Sequence, residues 1–258
     1  MSEVPLPERP VALVTGVGRS AGIGAAVAVR LAGDGWDVAT SYWAPYDERM
    51  PWGGSSAGGV EQVADAIRAT GARTVAIADD LSDVGAPGRI LDAVHAELGA
   101  ATALVLCHCE SVNSGLLDTT VESFDRHYAV NVRATWLLIR EYASRLPASQ
   151  GAGRILAMTS DHSVGNLPYG ASKGAMDRVV LAAARELAHL RITANVINPG
   201  PVDTGWIDDE LREAIVAQSP FGRVGQPSDT AALVSFLCSA QGGWVNGQLI
   251  HSDGGLHA

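Results

Sequence analysis

Short apolar runs without polar alternation recur along the chain, each followed by a turn and then by a longer stretch with apolar residues at helical spacing. The first is Val11-Ala12-Leu13-Val14-Thr15, and a run of this kind is expected of a strand buried on both faces of a parallel sheet. An alanine-rich helix is predicted over Ala25 to Ala32. The unit then repeats, with strands expected near Asp37 to Ser41, Thr74 to Ala78, Ala103 to Leu106, Arg154 to Thr159 and Thr193 to Ile197. Such alternation predicts an α/β fold, a doubly wound parallel sheet with right-handed crossovers and helices on both faces. No repeat, low-complexity tract or composition break marks a second domain, and 258 residues with 47% hydrophobic content suffice for a single large core.

Two connections exceed what a compact domain needs for turning: Trp43 to Ser55, and Gly200 to Pro227. The first carries Trp43, Tyr46, Met50 and Trp52, which suit either a lid over a ligand or burial against the body or a partner subunit. In the second, Trp206, Ile207, Leu211 and Ile215 follow Thr204 at helical spacings.

A formal charge of -10 argues against nucleic acid as a partner, since binding a phosphate backbone relies on clustered Lys and Arg. The start, Met1 to Pro10, is proline-rich and acidic, and reads as a flexible tail rather than a signal peptide or membrane span. Cys107, Cys109 and Cys238 make a poor disulfide framework, which suits a reducing cytoplasm. Cys107-His108-Cys109-Glu110 contains only ligand-capable residues, but no second cluster downstream completes a tetrahedron. No metal site is expected there or elsewhere.

Two segments carry chemistry. Gly16-Val17-Gly18-Arg19-Ser20-Ala21-Gly22-Ile23-Gly24 follows the first strand and opens the first helix. Glycines there permit tight turning and close approach, while the helix N-terminus offers amides and a positive dipole to a pyrophosphate. The spacing departs from the six-residue dinucleotide fingerprint by one extra residue between Gly18 and Gly22. The second segment is Pro168-Tyr169-Gly170-Ala171-Ser172-Lys173, in which Tyr169 and Lys173 share one helix face. An ammonium beside a phenol favours the phenolate, so Lys173 is expected to ease ionisation of Tyr169 and make it a proton donor at neutral pH. The alternative is a half-buried Tyr and a surface Lys that happen to share a face.

Thr15-Gly16 with Gly22-Ile23-Gly24, Asp80-Leu81, Asn131-Val132, Tyr169 with Lys173, Asn198-Pro199-Gly200 with Thr204, and Val245-Asn246-Gly247 with Asp253-Gly254-Gly255 form an ordered set. From Val11 to Gly255 that set resembles the classical short-chain dehydrogenase/reductase family. The resemblance implies one NAD(P)-binding Rossmann-type catalytic domain over 11–258, transferring hydride between a nicotinamide and a carbonyl or alcohol, such as a 3-oxoacyl compound or another ketone. It implies that Tyr169 donates the proton, that Lys173 also binds the nicotinamide ribose, that Ser160 polarises the carbonyl, and that Asn131 holds a water joining Lys173 to solvent. It sets Gly16, Arg19, Ser20, Ile23 and Gly24 against the cofactor, Asp80-Leu81 along the adenine, and Pro199, Val202 and Thr204 at the nicotinamide amide. It further implies a homotetramer or homodimer pairing the helices Asn131 to Arg145 and Tyr169 to His189, and a segment after Thr204 that closes over a largely apolar or mixed substrate.

The chain departs from the family twice. Five residues, Val17 to Ala21, stand between Gly16 and Gly22 where three are usual, and Leu106-Cys107-His108-Cys109 replaces an Asn-Asn-Ala-Gly stretch. For the serine, Met158-Thr159-Ser160 ends a strand as required, and Ser163 is the competitor because the segment to Tyr169 is short. NADP(H) is the expected cofactor, with NAD(H) as the alternative. The end of the second strand offers Ser41 and Tyr42 in place of an acidic residue, and Arg19, or less strongly Arg49, could meet a 2'-phosphate. The rival readings are a nucleotide-sensing protein without turnover and a redox-neutral lyase on the same fold.

Overall fold

The computed structural model describes residues 9–50, 58–147 and 152–257. Most of the tail, and Trp52 and Ser55 of the first long connection, lie outside the described residues. Seven strands form one parallel sheet: β1 (Val11–Thr15), β2 (Asp37–Tyr42), β3 (Thr74–Ala78), β4 (Ala101–Leu106), β5 (Gly153–Met158), β6 (Ile192–Asn198) and β7 (Leu249–His251). Their order is β3-β2-β1-β4-β5-β6-β7, the doubly wound Rossmann-type arrangement.

Strand alternation divides the core in two. Along β1, Val11 and Leu13 join one buried cluster and Ala12 and Val14 the other. The first cluster takes Ile90 and Val94 of α4 (Ala86–Glu97), Leu138 and Tyr142 of α6 (Ala134–Arg145), and Met176 and Val180 of α7 (Leu167–Glu186). The second takes Val27 and Leu31 of α1 (Ile23–Gly33), Val63 and Ile67 of α3 (Gly59–Ala69), and Val234 and Leu237 of α9 (Pro227–Cys238). Helices therefore cover both faces.

Three features differ from the sequence expectation. β7 is a seventh strand at the sheet edge, three residues long, with both ends exposed, so it lacks the apolar run that betrays a central strand. The first long connection holds a short helix, α2 (Ala44–Glu48), that its sequence does not announce, whereas α8 (Asp209–Gln218) in the second contains Leu211 and Ile215, two of the residues noted there at helical spacing. Asp208 caps α8 by accepting the Leu211 backbone N–H at 2.8 Å. Asn131, finally, sits in a π-helical turn, Tyr128–Arg133, between α5 (Val121–His127) and α6, not in a regular helix. Such turns are uncommon and tend to mark functional positions.

Strand order reverses between β1 and β4, opening a crevice beyond their C-terminal ends. The chain leaving β1 packs directly on the chain leaving β4. A Cβ on Gly16, whose φ is +73°, would lie 2.6 Å from both the Cys107 carbonyl oxygen and the His108 nitrogen, so only glycine permits this approach.

Candidate active site

A cavity of about 740 Å³ occupies that crevice, within the range of small-molecule and cofactor sites. Gly16, Arg19, Ile23 and Gly24 of the glycine turn line one end, with Asp80 and Leu81 beside them. Ser160, Tyr169 and Lys173 line the other, and Pro199, Val202 and Thr204 complete the wall. Trp206, Ile207, Leu211 and Ile215 of the second connection face the same space. Ser20, Asn131 and Ser163 do not reach it.

Lys173 is 2% exposed. Its Nζ donates to the Met158 carbonyl at 2.7 Å, tying α7 to the end of β5, and lies 5.6 Å from the centroid of the Tyr169 ring. Ser160 stands beside the Tyr169 phenol, and its Oγ accepts the His162 backbone N–H at 3.2 Å. The expected direction of the Tyr169 shift is reversed. Burial pushes the phenol above its ordinary value and Cys109 adds to this, with Ser160 opposing. Burial also lowers the pKa of Lys173 itself. At neutral pH the phenol therefore keeps its proton, the state a donor requires.

Asn131 lies behind the cavity wall and is fully buried. Its Oδ1 accepts the Glu110 N–H at 2.7 Å, and its Nδ2 donates to the Glu110 carbonyl at 2.9 Å and to Ser172 Oγ at 2.8 Å. Ser172 Oγ donates in turn to the Tyr169 carbonyl at 2.7 Å. The side chain is thus a strut between the segment after β4 and the first turn of α7.

The α2 segment folds over the opposite end. Trp43, Tyr46 and Asp47 line the cavity, as a lid would. Asp47 pairs with Arg19 (Nε to Oδ1, 3.3 Å), and Arg19 Nη1 also donates to the Thr204 carbonyl at 2.6 Å, so this arginine spans from the glycine turn to the segment after β6. Arg49 is not among the cavity-lining residues and pairs with the Glu110 carboxylate, which Arg126 Nε also reaches at 3.1 Å. Glu110, 4% exposed in its side chain, is neutralised from two sides.

The family model for enoyl-(acyl carrier protein) reductase matches residues 16–257. The chain belongs to the short-chain dehydrogenase/reductase family. It is 35% identical to an oxidoreductase of Bacillus subtilis, YjdA, over 96% of this chain and 97% of that one. It is 34% identical to an NADPH-dependent aldehyde reductase-like chloroplastic protein of Arabidopsis thaliana, over 99% and 97%. The solved structure of a short-chain dehydrogenase from Burkholderia cenocepacia in complex with NADP superposes with a TM-score of 0.85 at 32% identity, covering 98% of this chain and 99% of that one.

Within this dehydrogenase/reductase frame, the replaced stretch after β4 has its own packing. His108 is buried, and its Nε2 faces the Val130 carbonyl at 3.1 Å and must donate to it. Nδ1 then accepts the Thr15 hydroxyl proton at 2.7 Å, while Thr15 Oγ1 takes the N–H groups of Cys107 (3.2 Å) and His108 (3.3 Å). A neutral imidazole thus joins the ends of β1 and β4. Burial, with the Lys173 charge, pushes it down to about 3 from 6.5. Between those values the unfolded chain binds a proton that the folded one refuses, so stability falls as pH falls through this window, by at most about 1.4 kcal/mol per pH unit. His108→Asn should flatten this dependence. Urea unfolding of both proteins at about pH 7 and about pH 5 checks it, and equal losses on acidification would show that His108 is not the source.

Asp47, Glu110 and Cys109 also line the cavity and were assigned no role from the sequence. Asp47 belongs to no recognisable motif, while Cys109 and Glu110 lie in and beside the stretch that departs from the family pattern, which was the one available signal.

Proposed function

We propose that this protein is an NADP(H)-preferring reductase that interconverts a carbonyl compound and an alcohol, with Tyr169 as the proton donor. One observation carries the reading: the Tyr169 phenol, held protonated by burial and with Ser160 beside it, stands four residues from a buried Lys173 in a cavity continuous with the glycine turn. The turn fits a dinucleotide because Gly16, Gly18, Gly22 and Gly24 present backbone alone to the cavity at the start of α1. A bound nicotinamide would supply the hydride. The chain's own residues do the rest. Ser160 donates a hydrogen bond to the substrate oxygen, and Tyr169 gives up its proton as alkoxide character develops there. Lys173 stabilises the resulting phenolate, and Asn131 holds the first turn of α7 in place.

The preference for NADP(H) rests on Ser41 and Tyr42, which line the cavity at the end of β2 where an acidic residue would accept the ribose hydroxyl. It also draws on the relatives named above, one described as NADPH-dependent and one solved with NADP. Asp47 brings a carboxylate near the glycine turn that the strand-end argument overlooks, and Arg19 neutralises it. We assign Arg19 to a cofactor phosphate, exchanging Asp47 for it on binding. Fluorescence titration with NADPH and with NADH should show tighter NADPH binding in the wild type. Arg19→Ala should weaken NADPH by about tenfold or more, the worth of one charge-assisted hydrogen bond. Equal or tighter NADH binding would refute the preference, and unchanged NADPH affinity in the variant would remove Arg19 from the site.

The reading extends to a homodimer or homotetramer joined through α6 and α7. Trp136 on α6 supports it, being half exposed on a helix otherwise well packed. The apolar residues of the second connection favour a substrate with apolar surface.

A further inference from the structure

We propose that His251, Asp253 and His257 form a binding site for a divalent metal ion of borderline softness, Zn²⁺ foremost, at the rim of the cavity. The inference is independent of the reaction proposed above. The three residues come from the end of β7 and the turn that follows, and one ligand atom from each lies within 4.8 Å of the others. The imidazoles of His251 and His257 face each other with ring centroids 4.3 Å apart. His257 Nδ1 is 3.0 Å from Asp253 Oδ2.

The set is oriented before any ion arrives. Pairing with Asn198 in β6 fixes His251, and the Ser252 N–H donates to the Asn198 carbonyl at 2.8 Å. Asp253, only 5% exposed in its side chain, accepts the Gly255 N–H on Oδ1 at 3.0 Å, which leaves Oδ2 for the histidines. A hydrogen bond that orients a ligating carboxylate in this way is what metal sites use. A second carboxylate, Asp161, contacts His257 Nε2 and is itself held by Asn198 Nδ2 at 3.1 Å. Among the described residues neither carboxylate has an Arg or Lys partner, so two negative charges converge where the only cationic option is a protonated imidazole.

Two imidazoles and a carboxylate suit Zn²⁺, Co²⁺ or Ni²⁺ better than Mg²⁺ or Ca²⁺, which want oxygen. Metal–ligand bonds of about 2.0–2.2 Å require ligand atoms within about 4 Å of one another, and both histidines are exposed enough to rotate the small remaining distance. Cys107-His108-Cys109 does not compete, since His108 is buried with its ring nitrogens on the Thr15 hydroxyl and the Val130 carbonyl, whereas both nitrogens of the exposed His257 face carboxylates. His257 and Leu256 line the cavity, as does Asp161, the residue after Ser160. A bound ion would therefore fasten the C-terminal turn against the substrate-side wall.

The test is calorimetric titration of the full-length, tag-free, EDTA-treated protein with Zn²⁺. One site per chain is expected, weakened at least tenfold in His251→Ala and in His257→Ala and lost in the double variant, with His189→Ala, an exposed histidine elsewhere, unchanged. Co²⁺ in place of Zn²⁺ should give an absorption spectrum without a thiolate charge-transfer band. Absence of saturable Zn²⁺ binding by the wild type would overturn the proposal. So would binding that survives in the double variant, or a thiolate band that moves the ion to the cysteines.

Discussion

Tyr169→Phe should lower carbonyl turnover by about 10²–10⁴-fold, the usual contribution of a positioned general acid, while NADPH affinity stays within a few fold. The variant keeps the ring, and with it the packing that Tyr169 gives the cavity, and deletes only the hydroxyl that Ser160 contacts. Because burial holds the phenol protonated, the loss should fall on kcat rather than on binding: what disappears is the proton, not a contact that recognises cofactor. Lys173→Ala should differ in kind. It removes a buried cation that ties α7 to Met158, so both turnover and cofactor affinity should fall. Steady-state kinetics on the best substrate found, together with NADPH titration of each variant, separates the two. Tyr169→Phe retaining most of the activity would show that the proton comes from elsewhere.

Ser160→Ala should cost on the order of 100-fold or more in kcat, the size of effect seen when a donor to developing oxyanion charge is removed. Ser163→Ala should cost far less. Ser160 follows the end of β5 beside Tyr169 and faces the cavity. Ser163 is exposed and outside the cavity lining, and its backbone packs on the first turn of α7, where a Cβ on Gly170 would come within 2.7 Å of the Ser163 Cα. The strand end is fixed by the sheet, and the loop that follows leaves Ser163 exposed and outside the cavity lining. The reverse ranking of the two variants would reassign the serine.

The fold was legible where burial leaves a plain mark. β1 and β3 begin and end where the apolar runs do, β2, β4 and β6 are longer by a residue or two at one or both ends, and β5 is displaced by one residue towards the N-terminus; the central strands among them are apolar on both faces. β7 left no such mark, being an edge strand of three residues in a polar and glycine-rich stretch. The short α2 could not be read from periodicity, since five residues hold little more than one turn and none of them is buried.

Legibility at the site follows the same division. Most of the residues that the family resemblance set around a cofactor and substrate, from Gly16 to Thr204, line one cavity, Ser20 and Asn131 excepted. The electrostatics could not be read in the same way. Spacing shows that Lys173 and Tyr169 share a face, but not that burial raises the phenol and lowers the ammonium. Nor does spacing show that Asp47 lies against the glycine turn, or that Asn131 spends its side chain on Glu110 and Ser172. These are consequences of packing between segments far apart in the chain.

Carbonyl-dependent oxidation of NADPH by the wild-type protein, followed across keto esters, acyl thioesters, quinones, sugars and cyclic ketones, tests the proposed reaction most directly. At least one class should be reduced, with NADPH consumed in proportion to alcohol formed. Tight NADPH binding with no turnover on any member of the panel would contradict the reductase reading and leave a nucleotide-binding protein without catalysis.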